Sequence, residues 1–459
     1  MASLFHPSRI SICRLLDAGA GIGSLSAAFL ERWASGGFDF RRVEADAFEL
    51  DDRLHPFLTH TLQEYRRHLD VTLTVRGGDF IGAAVGALGG DIFAQALPRY
   101  THAILNPPYR KIRTDSTYRV ELRRIGIETV NLYSAFVALS LLLLVERGQL
   151  VAIIPRSFCN GPYYRPFREF LLARAAIMHI HLFDSRNKAF NDDDVLQENV
   201  IIMLERGGKQ GDVTVSTSTD ASFADLTTHT HRFNRIVFPD DPEHFIHVPT
   251  SPGNNAIELS AAVRYSLENI NVSVSTGPVV DFRFRDHLSA MPEAGTVPLL
   301  YPTHFAATGT DWPKVGSKKP NAIQRNAQTE KLFYPTGFYC VVRRFSPKEE
   351  KRRIVASVVK PDSFPGAEVL GFENHLNVLH EGKHGLPQAL AQGLAVFLNM
   401  TAVDENFRRF NGHTQVNATD LRLIKYPSRA ALTALGKWAM SHGNLTQEMI
   451  DAQLEKLTA

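Results

Sequence analysis

At 459 residues the chain is too long for one ordinary hydrophobic core, so two domains are expected. Apolar residues make up 44% and charged residues 21%, the balance of a soluble globular protein. Three scattered cysteines (Cys13, Cys159, Cys340) form no Cys-x-x-Cys pair, which argues against a disulfide framework or thiolate zinc site and for a reducing cytoplasm. Net charge is only +2, yet Asp311 to Lys360 holds 12 basic and 4 acidic residues. Such a block suits a surface facing phosphates, or simply a solvated basic face.

Met1 to Arg14 lacks the continuous apolar core of a signal peptide. Cys13-Arg14-Leu15-Leu16 predicts a strand ending in Asp17-Ala18-Gly19-Ala20-Gly21-Ile22-Gly23, and Ser24 to Arg32 a helix. A second strand is expected over Phe40 to Glu44, a helix over Asp51 to Leu69, and a third strand over Val71 to Arg76. The fourth, Tyr100 to Leu105, runs into Asn106-Pro107-Pro108-Tyr109. Asn131 to Arg147 predicts a helix stopped by Gly148, and its apolar run Leu132 to Val145 is too short to cross a bilayer, so no membrane association is expected. Leu150 to Ile154 follows as a strand.

Strands alternating with helices indicate a Rossmann-like parallel α/β sheet covered on both faces. Val195 to Glu205 is expected as a late strand, antiparallel at its edge. From Gly207 the alternation stops, and the polar stretch to Ser222 reads as a linker or trailing hairpin. The division is placed at 1–245 and 246–459. The second half mixes strand-like runs (Gly337 to Arg343, Arg353 to Val359) with helices over Leu386 to Leu398 and Ala430 to Met440, a mixed α+β texture.

Two motifs carry chemistry. A strand ending in an acidic residue, then Gly19-x-Gly21-x-Gly23, then a helix lets backbone approach a nucleotide-like ligand. The spacing is neither the Gly-x-Gly-x-x-Gly of dinucleotide binders nor a triphosphate loop. Glu44, read as the end of the second strand, would accept both hydroxyls of a ribose. Asp79-Phe80, after the third strand, offers an acceptor for an adenine amino group and a ring for stacking. A surface carboxylate and a helix cap are the plainer readings of Glu44 and Asp79.

The second motif, Asn106-Pro107-Pro108-Tyr109, arises by chance in a chain this long roughly once in a thousand. Its prolines stiffen the turn and leave carbonyls free to accept. The Asn106 side-chain oxygen and the Pro107 carbonyl together can hold both hydrogens of an amino group, and Tyr109 offers a face to a planar base or amide.

With both motifs in place the chain resembles the gamma-ordered DNA adenine N6-methyltransferases of restriction–modification systems. Asn131-Leu132-Tyr133-Ser134-Ala135-Phe136 looks like the family's next cofactor-side motif, and Ile154-Pro155-Arg156-Ser157-Phe158 like the strand and loop after it. Phe190, with Phe183 as alternative, sits where the family places an aromatic on the flipped base's other face. The second half is similar to the recognition domain of BsuBI/PstI-type adenine methyltransferases, through Val274 to Arg283, Arg343 to Arg353, Glu373 to Asn377 and Asn411 to Asn417.

The resemblance implies a class I methyltransferase sheet with a mixed α+β target-recognition domain. S-adenosyl-L-methionine would be held by Asp17, Ala18, Gly19, Gly21, Gly23, Glu44, Asp79, Phe80 and Asn106. Double-stranded DNA would be met by Arg343, Arg344, Lys348, Lys351, Arg352, Asn374, His375, Asn411, His413, Gln415 and Asn417. The histidines His375, His380, His384 and His413 do not make a metal site by spacing. No nuclease domain is legible, so a cognate restriction endonuclease would be a separate protein. Family members carry a further cofactor motif upstream of the glycine turn. The sixteen residues before Asp17 look like the segment just after it, which reads as a late start, a truncation or a lost wall. Two rival readings stand beside this one: a protein glutamine N5-methyltransferase, and a DNA-binding module whose methylase domain is inactive.

Overall fold

Each apolar run of the first half is followed by a connection long enough to return to the same end of a sheet, so neighbouring strands lie parallel. These are β1 (Ile12–Ala18), β2 (Arg42–Glu49), β3 (Val71–Gly77), β4 (Tyr100–Leu105) and β5 (Leu144–Pro155). In the computed structural model, residues 1–91, 93, 95–183, 198–239, 241–249, 262–306, 309–346, 350–410 and 415–458 are described. They form two compact units, Met1–Pro252 and Gly253–Ala459.

The first unit is one nine-stranded sheet in the order β3-β2-β1-β4-β5-β7-β6-β8-β9, completed by β6 (Ala175–Phe183), β7 (Asn199–Arg206), β8 (Val213–Ser218) and β9 (Thr227–His231). Alternate residues of β1 feed opposite layers. Leu16 and Ala18 pack with α3 (Phe80–Gly89) and α5 (Leu132–Leu143), while Cys13 and Leu15 pack with α1 (Ser24–Ala34) and α2 (His55–Gln63), which β2, β3 and the intervening chain order introduce. α4 (Thr117–Arg124) and α6 (Arg165–Arg174) complete the helices of this unit among the described residues.

Three expectations change. The second strand runs to Glu49 rather than ending at Glu44. The helix expected to reach Arg147 stops at Leu143, and the chain is already in β5 at Leu144. Tyr100 and His102 of β4 pair with Leu144 and Gln149, so Gly148 lies in a bulge rather than at a helix end. A Cβ there would stand 2.8 Å from the Val145 carbonyl oxygen, which explains the glycine. The late antiparallel strand β7 is internal, paired with both β5 and β6, and the polar stretch beyond it supplies β8 and β9.

The second unit is built on two small sheets. One is four-stranded and antiparallel, ordered Ser273–Thr276, Leu376–His380, Tyr339–Arg343, Ala356–Val359. The other has five short strands with Thr296–Leu300 at its centre. Helices Gln388–Leu398 and Arg429–Ser441 cross at Gly393 and Gly436, where any Cβ would overlap the backbone of the facing helix. No helix among the described residues is long and apolar enough to cross a membrane.

Candidate active site

The strand order reverses direction between β1 and β4, and in open α/β sheets ligands bind at the carboxyl ends beside such a point. Asp17 of β1 is in register with Ala47 of β2 and Ile104 of β4. The glycine turn, the end of β2 and the Asn-Pro-Pro-Tyr loop therefore leave the sheet at one place.

Gly19, Gly21 and Gly23 have φ of +81°, +55° and +89°, a region that side chains rarely tolerate. At Gly23 a Cβ would also stand 2.8 Å from Leu58. The turn is tied to β2: the Gly19 and Ala20 amides donate to the Phe48 carbonyl at 2.9 and 2.8 Å, and the Gly21 amide to Glu49 Oε2 at 2.8 Å. Beneath it, Ser26 Oγ donates to Asp17 Oδ2 at 2.7 Å. Asp17 Oδ1 is buried and has no hydrogen-bond partner among the described residues. Burial raises the Asp17 carboxyl to about 7, with the Ser26 hydrogen bonds opposing and the Glu49 charge adding.

Glu44 is not in this group. It is the third residue of β2 and is paired with Arg14 at 3.1 Å and Arg42 at 3.6 Å. The two-residue repeat of Arg-Val-Glu-Ala-Asp-Ala-Phe-Glu offers acidic residues at 44, 46 and 49, and reading the strand as too short selected the first. Asp46 is also occupied, by Tyr100 Oη at 2.7 Å and Arg76 at 2.9 Å. Glu49 stands at the strand's carboxyl end, and its other oxygen accepts from the Asp51 amide at 2.8 Å.

Asp79 caps α3, accepting from the Ile81 and Gly82 amides at 3.0 Å each. Phe80 is buried between the rings of Phe48 (5.1 Å) and Phe136 (5.0 Å). The ring expected to stack on a ligand thus belongs to an aromatic cluster behind the crevice.

In the second motif Asn106 and Pro108 are exposed and Pro107 is buried. Tyr109 Oη donates to Asn106 Oδ1 at 3.1 Å and lies 3.3 Å from the Ile153 carbonyl. Since an amide oxygen has two lone pairs, Asn106 is oriented by this contact and keeps one acceptor site. The two motifs converge: the side-chain direction at Gly19 points within 3.8 Å of the Asn106 backbone oxygen. After the loop, the Leu132 amide donates to the Arg110 carbonyl and the Ile112 amide to the Val130 carbonyl, both at 2.8 Å. The Tyr109 ring meets Tyr133 edge-on at 6.3 Å, and Tyr133 stacks on Tyr164 at 5.8 Å, whose hydroxyl accepts from Asn131. Tyr133 lies within a motif the resemblance had marked as cofactor-side, whereas its contact with Tyr109 and the part played by Tyr164 had no local signal.

Three arginines of the basic segment in the second unit are each tied to an internal partner. Arg343 pairs with Glu350, Arg344 donates to the Asn374 carbonyl at 3.2 Å, and Arg352 donates to the Met400 carbonyl at 3.1 Å. The Asn417 amide donates to Asp420 at the start of helix Ala418–Leu423, and Gln415 bridges to Phe345. Lys351 is exposed, and His375 is half-exposed at a turn. Phe190, Lys348, Asn411 and His413 lie outside the described residues.

A family profile described as Eco57I restriction-modification methylase matches residues 99–190. The chain is 52% identical over 460 residues to the type II methyltransferase M.BsuBI of Bacillus subtilis, covering 100% of this chain and 91% of that one. It is 41% identical over 458 residues to the type II methyltransferase M.PstI of Providencia stuartii, covering 98% and 89%. The chain belongs to the type II methyltransferase family. The fold of this methyltransferase is also that of the type IIL restriction-modification enzyme MmeI, solved in complex with DNA: TM-score 0.52 at 10% identity, over 97% of this chain and 69% of that one.

Proposed function

We propose that the chain is a site-specific adenine N6-methyltransferase acting on double-stranded DNA. It serves as the modification enzyme of a type II restriction–modification system whose endonuclease is a separate protein. Residues 1–245 are assigned as catalytic and 246–459 as target-recognising. The observation that carries the reading is the convergence of the glycine turn and the Asn106 loop at one sheet end, with Asn106 Oδ1 held by Tyr109.

The methyl donor, S-adenosyl-L-methionine, supplies an electrophilic methyl sulfonium. The residues present fit it. The glycine turn leaves open space at Gly21, the buried Asp17 Oδ1 lacks a partner among the described residues and suits an ammonium, and Glu49 ends β2 where ribose hydroxyls need acceptors. Ala18 and Asp79 complete the wall, Asp79 held by the amides it caps and by the Tyr118 hydroxyl. Phe80 supports it from behind through Phe48 and Phe136.

A duplex adenine cannot present N6 to a crevice, so the base rotates out of the helix and lies against Tyr109, with Phe190 assigned to its other face. Asn106 Oδ1 and the Pro107 carbonyl hold the two amino hydrogens, which aims the nitrogen lone pair at the methyl group. Pro108 keeps the turn rigid and Tyr109 fixes Asn106. Incubating the protein with plasmid DNA and labelled donor, then digesting to nucleosides, tests this. N6-methyladenine is expected; a labelled cytosine, or label in a glutamine-bearing protein acceptor and none in DNA, overturns it.

A further inference from the structure

Outside the catalytic unit one polar group is built with unusual care. Glu373 to Leu376 form a tight turn, the Leu376 amide donating to the Glu373 carbonyl at 3.0 Å. The turn is wedged in place: the Glu373 amide donates to Leu300, the Asn374 amide to Val279, and Gly277 lies so close that any Cβ would overlap the Glu373 backbone. The Glu373 carboxylate has a fully buried side chain and gives both oxygens to His375, Oε2 to its amide at 2.9 Å and Oε1 to Nδ1 at 2.6 Å.

A carboxylate only accepts, so Nδ1 carries the ring proton and the tautomer is set. Nε2 is then the nitrogen left to the surface. The His375 side chain is 44% exposed, and Nε2 has no hydrogen-bond partner among the described residues. In the neutral ring it offers a lone pair outward. Beside it stands Phe345, 48% exposed, at 6.4 Å.

Among the described residues near it, Lys319 is 2.8 Å from Asp281 and Arg343 is paired with Glu350, while Arg344 gives one N–H to the Asn374 carbonyl and keeps its charge. An acceptor set beside an exposed ring suits a base edge better than a backbone phosphate, which itself only accepts. The acceptor-seeking groups of the major groove are the exocyclic amines, adenine N6 and cytosine N4.

We infer that His375 is a specificity-determining residue whose Nε2 accepts a hydrogen bond from one exocyclic base amine in the major groove of the target sequence, with Glu373 as the positioning residue that fixes its tautomer. This rests on the reading of the chain as a DNA methyltransferase and adds the atom and the base chemistry by which it reads sequence.

The test uses the full chain and the duplex it methylates, mapped first by methylation-sensitive sequencing of plasmid DNA. Adenines other than the methylated one are replaced singly by purine, and cytosines by 2-pyrimidinone, which removes the amine alone. At one position the loss should cost the wild type about 10- to 100-fold in kcat/KM and cost His375→Ala no more than about twofold. Whether purine or pyrimidinone shows the effect tells adenine from cytosine. His375→Gln, which offers an amide oxygen, should restore part of the discrimination, and His375→Lys none. Glu373→Gln should weaken the same coupling through kcat/KM with kcat little changed. Absence of any coupled position overturns the inference. So does rescue by His375→Lys with a salt slope about one smaller in His375→Ala, which marks a phosphate contact. A lower Tm with unchanged discrimination marks a merely structural histidine and overturns it too. A wild-type chain that methylates no duplex overturns the parent reading instead, and this one with it.

Discussion

The carboxyl end of the first unit's sheet and the arginine-rich segment of the second unit use polar residues in opposite ways. At the sheet end acceptors are oriented but left with spare capacity: Asp17 Oδ1 lacks a partner among the described residues, and Asn106 Oδ1 takes one hydrogen bond from Tyr109. In the second unit Arg343, Arg344 and Arg352 each give one N–H to a glutamate or a carbonyl of the same unit, and the Nε of each is buried without a hydrogen-bond partner among the described residues. Residue type alone would have ranked both as binding surfaces. What separates them is what the local fold anchors: acceptors held at the mouth of a crevice in the first unit, and guanidinium groups tied by one N–H each to their own unit in the second.

The largest effect is expected where spare capacity meets chemistry. Asn106→Ala removes the side-chain acceptor and should lower kcat on the order of 10²- to 10³-fold, as for loss of one preorganised polar group in an active site. DNA affinity by gel shift should be nearly unchanged. Activity retained in this variant would break the contrast at its strongest point.

Next comes the correction on β2. Glu49→Gln keeps an acceptor but loses the charge, and should raise the donor KM about 10-fold by weakening charge-assisted hydrogen bonds. Glu44→Gln breaks an ion pair whose side chains are 43% and 37% exposed, where such pairs contribute about 0–1 kcal/mol. Donor KM should then stay within about twofold. Steady-state kinetics with varied donor decides between the two carboxylates, and the reverse ranking would reinstate Glu44.

The contrast also accounts for what was legible in the sequence. The glycine turn and the Asn106 loop are contiguous, each following a strand, so chain connectivity alone carries them to the same end of a parallel sheet. β1, β4 and the interruptions between them were plain from apolar runs. Glu49 was missed because β2 alternates acidic and apolar residues, so polarity gave no endpoint, and only pairing with β1 and β3 extends the strand to 49. β8 and β9 were hidden likewise, since Thr- and Ser-rich strands at a sheet margin look like linker. The destinations of Arg344, Arg352 and Glu373 depend on partners 30, 48 and 2 residues away, and only the last is local enough to have been guessed.

Asp17 offers a smaller, pH-dependent test of the uncommitted site. Its carboxyl titrates near 7 in the folded chain against 3.8 for the free side chain. Between these values the native state holds a proton that the unfolded chain has released, so this group's contribution to stability falls as pH rises through that window and is level above it. Donor binding should move the other way, because the ionised form is the one that attracts an ammonium. Donor KM is expected to fall a few-fold between about pH 6 and about pH 8, and Asp17→Asn should flatten both that trend and the slope of Tm against pH. A slope unchanged in Asp17→Asn would assign the titration to another group.

The smallest effects test the second unit. Lys351 is exposed and has no partner among the described residues, whereas its neighbour Arg352 is half-buried and donates to the Met400 carbonyl. Lys351→Ala should leave Tm unchanged and reduce the slope of log affinity for DNA against log salt by about one, the signature of one lost phosphate contact. Arg352→Ala should do the reverse, lowering stability by about 1 kcal/mol through a lost charged hydrogen bond while the salt slope stays where it was. If both variants change the salt slope alike, Arg352 reaches DNA in spite of its internal bond. The division between consumed and available cations would then have to be drawn by electrostatic field rather than by hydrogen-bond partner.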